Sequence, residues 1–98
     1  MDVLPVGRLD DRVHGKVRLA VLTLLCRHGA MTFLALKASI QTTDGNLAIH
    51  LRKLETAGFI ELTRDFEGRQ RRTNAVLTDE GRSAYRAYAT ELLAWLKP

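Results

Sequence analysis

Two short apolar-periodic segments stand almost back to back in the middle of this chain, and their closeness limits the folds open to it. In the first, Phe33, Leu36 and Ile40 fall at i, i+3 and i+7; in the second, Leu47, Leu51 and Leu54 form a stripe at helical spacing. The break between them centres on Gln41 and Thr42. Thr32 and Thr43 stand where a hydroxyl can cap each helix, and Asp44 falls in the first turn of the second, where the helix dipole favours a carboxylate. Neither short helix can bury its stripe alone. Each must fold onto the other and onto a further apolar surface.

That surface lies upstream. From Lys16 to His28 the chain is largely apolar, with Val17, Val21 and Leu24 on one face, Leu22, Leu25 and Cys26 widening it, and Gly29 as a stop. Asp10 or Asp11 can cap an opening turn before it. Such breadth predicts a central, mostly buried helix. Downstream, Phe59 to Arg64 alternates as a half-buried strand, Asp65 to Arg72 is polar around Gly68, and Thr73 to Leu77 reads as the returning strand of a hairpin with a charged tip. Thr78 then caps a last helix whose first turn holds Asp79 and Glu80. The fold class expected is α+β and mostly helical: a three-helix core, a two-stranded hairpin and a C-terminal helix from about residue 78, all in one domain spanning residues 1–98.

Composition removes several function classes. One cysteine in 98 residues excludes an internal disulfide framework and points to a reducing compartment. No run approaches the roughly 18–20 apolar residues of a membrane span, and no charged-then-apolar leader opens the chain, so a cytoplasmic location and no membrane partner are expected. There is no paired-carboxylate spacing, nucleophile–base set or glycine-rich phosphate loop; the expectation is no enzyme and no cofactor. Cys26 and His28 lie two apart on a helix, which splays them by about 200°, so they cannot hold one metal ion together. Cys26 reads as a small buried hydrophobe, and His28 as a residue suited to a helix C-terminus. A net charge of +4 and a pI near 9.7 admit a polyanionic partner. Since no segment is a basic tail, any such contact must come from cations placed by the fold.

The second helix of the close pair presents Gly45, Asn46, Ile49, Arg52, Lys53 and Thr56 outward. Reading a major groove requires an amide or guanidinium for base edges, a small apolar group for thymine methyls, and cations for phosphate. Asn46, Ile49, Arg52 and Lys53 supply that set; Gly45 lets a backbone come close, and Thr43 can donate to a phosphate at the helix start. His50 flanks the inward stripe and suits either a phosphate contact or a structural role. At the hairpin tip, Arg64, Arg69, Arg71 and Arg72 crowd around Gly68 and Gln70. A solvated helix face and a charged turn are each ordinary, but together they predict contact with double-stranded DNA.

In this order (helix, helix, outward-reading helix, strand, arginine-bearing loop, strand, terminal helix) the chain resembles the winged helix-turn-helix transcriptional regulators. The motifs that carry the resemblance are Thr43-Asp44-Gly45-Asn46-Leu47, His50-Leu51-Arg52-Lys53-Leu54-Glu55, Ala57-Gly58-Phe59-Ile60, Val17-Arg18-Leu19 and Leu77-Thr78-Asp79-Glu80-Gly81. They are similar to small stand-alone members related to the MarR and ArsR groups. The resemblance implies a homodimer on a pseudo-palindromic operator, one recognition helix per half-site, and a wing on the flanking backbone, while the arginines of the hairpin also suit the minor groove. Occlusion of a promoter by such a complex gives a repressor, and activation through the same contacts stays open. Ala75 stands where the returning strand usually carries an aromatic, and Gln70 where a proline is often found, which implies a more mobile wing tip. Two other uses stay open: a winged helix serving as a protein-interaction module, and an ArsR-like regulator responsive to a ligand or metal. No residue cluster marks an effector site.

The last helix adds a dimer argument of its own. Tyr85, Tyr88, Leu92 and Trp95 step 3, 4, 3, as a helix–helix seam does, with Ala89 and Leu96 on the same side. The distal end, with Trp95 and Leu96, lacks cover from so small a core, and Trp and Tyr are frequent interface anchors. The competing reading is that the stripe packs on the chain's own core.

Overall fold

Thr32, Thr43 and Thr78 each accept a hydrogen bond from the backbone N–H three residues on, at 3.1, 3.1 and 3.0 Å. In the computed structural model, which describes residues 2–98, these caps open three of the four helices. α1 runs Lys16–His28, α2 Phe33–Ile40, α3 Asp44–Thr56 and α4 Asp79–Leu96, with a short 3-10 turn at Val6–Arg8 near the start. Gly29 closes α1 by donating its N–H to the Leu25 carbonyl. Gln41 closes α2 in a left-handed conformation, so the chain reverses into α3 within three residues.

α1 is the centre of the molecule, as its apolar breadth requires. Val17, Val21, Leu22 and Leu25 are buried, and the helix packs against α2, α3 and α4. Leu36 from α2, Leu47, Leu51 and Leu54 from α3, and Phe59, Ile60, Ala75 and Tyr88 complete the core together with Val13.

The sheet has three strands where two were expected. Strands β2 (Ile60–Glu67) and β3 (Gln70–Leu77) form the hairpin, and Ala30–Thr32 adds an antiparallel strand, β1, on the far edge of β3. Its pairs are Ala30 with Val76, Met31 with Ala75 and Thr32 with Asn74. Three residues are too few to show a period of two. They become a strand because β3 would otherwise leave an unpaired edge beside the start of α2. The hairpin strands also run further than their polarity implied: the Asp65–Arg72 stretch is mostly strand, and Glu67 pairs with Gln70 across a two-residue loop of Gly68 and Arg69. Gly68 has φ +62°, which a two-residue hairpin loop needs at its first position.

Candidate nucleic-acid interface

The buried leucines of α3 turn its other side to solvent. Ile49, Arg52, Lys53 and Thr56 line one shallow concavity of about 330 Å³. No carboxylate lies in it; Glu55 lines a separate depression beside Ile60 and Leu62. Ile49 is 53% exposed, which leaves an apolar side chain among cations. A β-carbon at Gly45 would meet nothing within 4 Å, so no contact inside the chain demands a glycine there. At the helix start Thr43 Oγ1 accepts from the Asn46 N–H as the cap, a bond that leaves its own O–H able to donate, and Asp44 pairs with Lys37 Nζ at 2.6 Å.

Asn46 and His50 sit round the helix, on the α1 side. Asn46 Nδ2 donates to Thr42 Oγ1 at 2.9 Å, and the residue forms one wall of a groove of about 760 Å³ that also includes Lys16, Leu19 and Ile40. His50 is half-buried, with Nδ1 3.1 Å from Arg18 Nη1. A guanidinium only donates, so Nδ1 is the acceptor and the neutral ring carries its proton on Nε2. Burial first, then the charges of Arg18 and Lys53, hold the imidazole below its ordinary value. Arg18 is anchored from the other side: Nη2 donates to the His14 carbonyl and to the Asp11 carbonyl at 3.4 Å. Its Nε is buried with no partner among the described residues. Of the two roles open to His50, the geometry therefore favours the structural one.

A pH effect follows. With the folded imidazole depressed, the native state binds fewer protons than the unfolded chain as pH falls through the ordinary imidazole value of about 6.5. The contribution of His50 is complete above that value and declines below it. Melting temperatures of wild type and His50→Gln, followed from pH 7.5 to 5, are expected to diverge, with wild type losing more. Parallel curves would show that the Arg18 contact has no bearing on this titration.

The hairpin separates its charges by face. Register places Asp65 opposite Arg72 and Phe66 opposite Arg71, and side chains alternate along each strand. On the outer face Arg72 makes a two-pronged pair with Asp65, at 2.9 and 3.1 Å, and reaches Glu67 at 3.4 Å. The Arg72 hydrogen bond holds the Asp65 carboxyl below its usual range. On the other face, continuous with Leu62 and Ala75 of the core, stand Arg64, Phe66, Arg71 and Thr73, with no acid among them. Among the described residues Arg64, Arg69 and Arg71 form no ion pair. Arg72, grouped with them in the sequence, is thus neutralised by its neighbours. Arg71, Thr73 and Gln70 share a groove of about 510 Å³ with Leu34 and Asp44, which brings the hairpin and the start of α3 to one cleft.

α4 divides into two halves. Tyr88, expected at a seam between subunits, is 3% exposed and buried in the chain's own core, its hydroxyl 2.8 Å from His14 Nδ1. Tyr85 accepts from Thr23 Oγ1 at 2.9 Å, so it too faces α1. The Tyr88 assignment is corrected, because α1 and the segment before it cover that part of α4, while Tyr85 is half-buried. Ala89, Leu92 and Trp95 are half-buried, Trp95 donating to Glu91 at 3.0 Å. Beyond them Leu93 and Leu96 are 61% and 70% exposed. Cys26 is a free thiol that receives a hydrogen bond from Arg82 at 3.3 Å. Among the described residues no cluster of three or more His, Cys, Asp or Glu could hold a metal ion, and no helix is long and apolar enough to cross a membrane.

Sequence reasoning gave Arg18, Phe66 and Leu93 no role of their own. Extending the alternation of Leu62 and Arg64 by one step would have found Phe66. Nothing local marks Arg18, whose partner lies 32 positions away.

Comparison with known proteins bears on the family and the fold. Residues 17–96 match the family model of the winged helix DNA-binding domain. An uncharacterized protein of Methanocaldococcus jannaschii is 38% identical over 77 residues, 79% of this chain and 84% of that one. A transcriptional regulator homologue from Pyrococcus horikoshii superposes with a TM-score of 0.84 at 24% identity, covering 92% of this chain and 90% of its own. A chain assigned to the MarR family of transcriptional regulators, from Enterococcus faecalis, gives a TM-score of 0.69 at 22% identity, over 92% of this chain and 76% of that one.

Proposed function

The chain belongs to the winged helix DNA-binding domain family, and from that membership we propose that it is a sequence-specific transcriptional regulator, a repressor that binds a pseudo-palindromic operator as a homodimer. The observation that carries this reading is a pair of cationic surfaces on neighbouring elements, with Asp44 and Glu67 in the cleft between those elements. The outward face of α3, with Ile49, Arg52 and Lys53, and the hairpin face, with Arg64 and Arg71, belong to elements that meet at one cleft. α3 enters the major groove, where Ile49 meets a thymine methyl and Arg52 a guanine edge, and Lys53 holds phosphate. Gly45 leaves room for a sugar–phosphate strand beside the start of α3. Asn46 spends one amide N–H on Thr42, which leaves its other N–H and its carbonyl oxygen for a base edge. The hairpin is the wing, with Arg69 and Gln70 at its tip. Repression follows from occlusion of the promoter by the bound dimer.

Selection of bound duplexes from a random pool tests the reading directly. The expected result is a two-fold symmetric motif; a protein that enriches nothing would overturn it. On the selected duplex, log affinity should fall linearly with log salt, by about 0.9 for each phosphate contact. Arg71→Ala is expected to reduce that slope by about one contact. Arg72→Ala should leave the slope nearly unchanged, because its charge is already spent on Asp65 and Glu67. Equal losses from the two variants would remove the distinction between the wing's faces.

A further inference from the structure

Phe66 lies outside the hydrophobic core. It is 67% exposed near the wing tip, with Arg71 opposite in register and Arg64 two residues before it on the same face. Neither arginine has an acidic partner among the described residues. We propose that Phe66 is a DNA-inserting side chain: the ring enters the minor groove beside the half-site, wedges against a base step and bends the duplex, while Arg64 and Arg71 hold the phosphates on either side. The inference rests on the operator-binding reading above and adds a contact, and a distortion of the partner, to it.

The surroundings of the ring choose the occupant. A protein surface closing over Phe66 would also take two unpaired guanidiniums out of water, and it would need a carboxylate for each. A duplex supplies an apolar slot between base pairs with a phosphate backbone along each wall, which matches an aromatic between two cations. Size limits what can enter. A sheet layer with its side chains is about 10 Å thick against a minor groove about 6 Å wide, so the ribbon stays at the rim and the Phe66 ring reaches in, deepest where the duplex opens. A partly unstacked pyrimidine–purine step opens most readily. The outer face, where Arg72 is tied to Asp65 and Glu67, stays out of the groove and stiffens the ribbon as the ring goes in.

The test uses the full chain and the duplex obtained by selection, with 2-aminopurine at successive flanking steps and a donor–acceptor dye pair at the duplex ends. Wild type is expected to brighten 2-aminopurine at one step in each flank and to shorten the end-to-end distance. Phe66→Ala should lose both signals and bind about tenfold more weakly, with an unchanged melting temperature. Phe66→Leu, which keeps an apolar wedge, should retain part of the bend. Wild-type binding with normal salt dependence, and no difference in bend or affinity for Phe66→Ala, would overturn the wedge and leave the operator reading standing. Failure of wild type to bind any duplex would overturn both. A lowered melting temperature for Phe66→Ala, or a Phe66-dependent change of oligomeric state in sedimentation, would assign the ring to the protein's own packing or to a second copy, and would also overturn the proposal.

Discussion

Gly81→Ala is expected to destabilise the protein by about 3 kcal/mol or more, at the upper end of overpacking effects, and to lower its melting temperature by about 12–24 °C. A β-carbon at residue 81 would lie 2.0 Å from the Phe59 carbonyl oxygen, 2.8 Å from its carbon and 2.9 Å from Leu77 Cδ1. Two of those atoms are backbone, so no change of rotamer relieves the clash; the start of α4 must move away from the start of β2. That movement breaks a compact joint. The Thr78 N–H donates to the Phe59 carbonyl at 3.0 Å, and Thr78 Oγ1 donates to the Gly58 carbonyl at 2.7 Å while accepting from the Gly81 N–H at 3.0 Å. The sign is diagnostic, because helix propensity alone has Ala more favourable than Gly by about 1 kcal/mol inside a helix. A thermal melt followed by circular dichroism decides, with exposed Ser83→Ala as the neutral control. A Gly81→Ala melt within a few degrees of wild type would show that α4 does not need this close approach.

The same joint shows what the sequence does and does not disclose. Thr78 is legible as a cap because capping depends on a hydroxyl beside four free N–H groups, all of it local. Thr32 and Thr43 are legible for the same reason, and so is the inward stripe of α3. The closeness of Gly81 to Phe59 is not, since it depends on the angle at which α4 meets the sheet. Tyr85 and Tyr88 show the limit of periodicity. Spacing places them correctly on one stripe, but whether that stripe faces the chain or a partner is settled by residues as far away as His14, 74 positions upstream. The wing shows another limit. Composition gives four arginines at the tip, while the pairing of Asp65 with Arg72 and of Phe66 with Arg71 comes from a register that a two-residue loop sets. A one-residue slip would have turned Arg72 to the free face and tied up a different cation.

Leu93→Glu combined with Leu96→Glu is expected to give monomers in sedimentation at micromolar concentration and to weaken operator binding by a hundredfold or more. Both leucines lie on the distal half of α4, past the part that α1 covers, and the N-terminal segment leaves Val3, Leu4 and Val6 exposed as well. Two unpartnered apolar surfaces on one small chain are what a two-fold contact can bury, since symmetry presents each of them to the partner. In the proposed dimer on a palindromic operator, the second recognition helix binds at the high effective concentration set by the first, and monomers forfeit that advantage. Affinity for a single half-site should therefore be unchanged in the double variant, which separates loss of assembly from damage to α3. The melting temperature should fall modestly and cease to depend on protein concentration, because folding is no longer coupled to association. A wild-type chain that already sediments as a monomer at micromolar concentration would end the dimer proposal. A double variant that remains dimeric would move the seam to another surface, leaving the exposed end of α4 without a function.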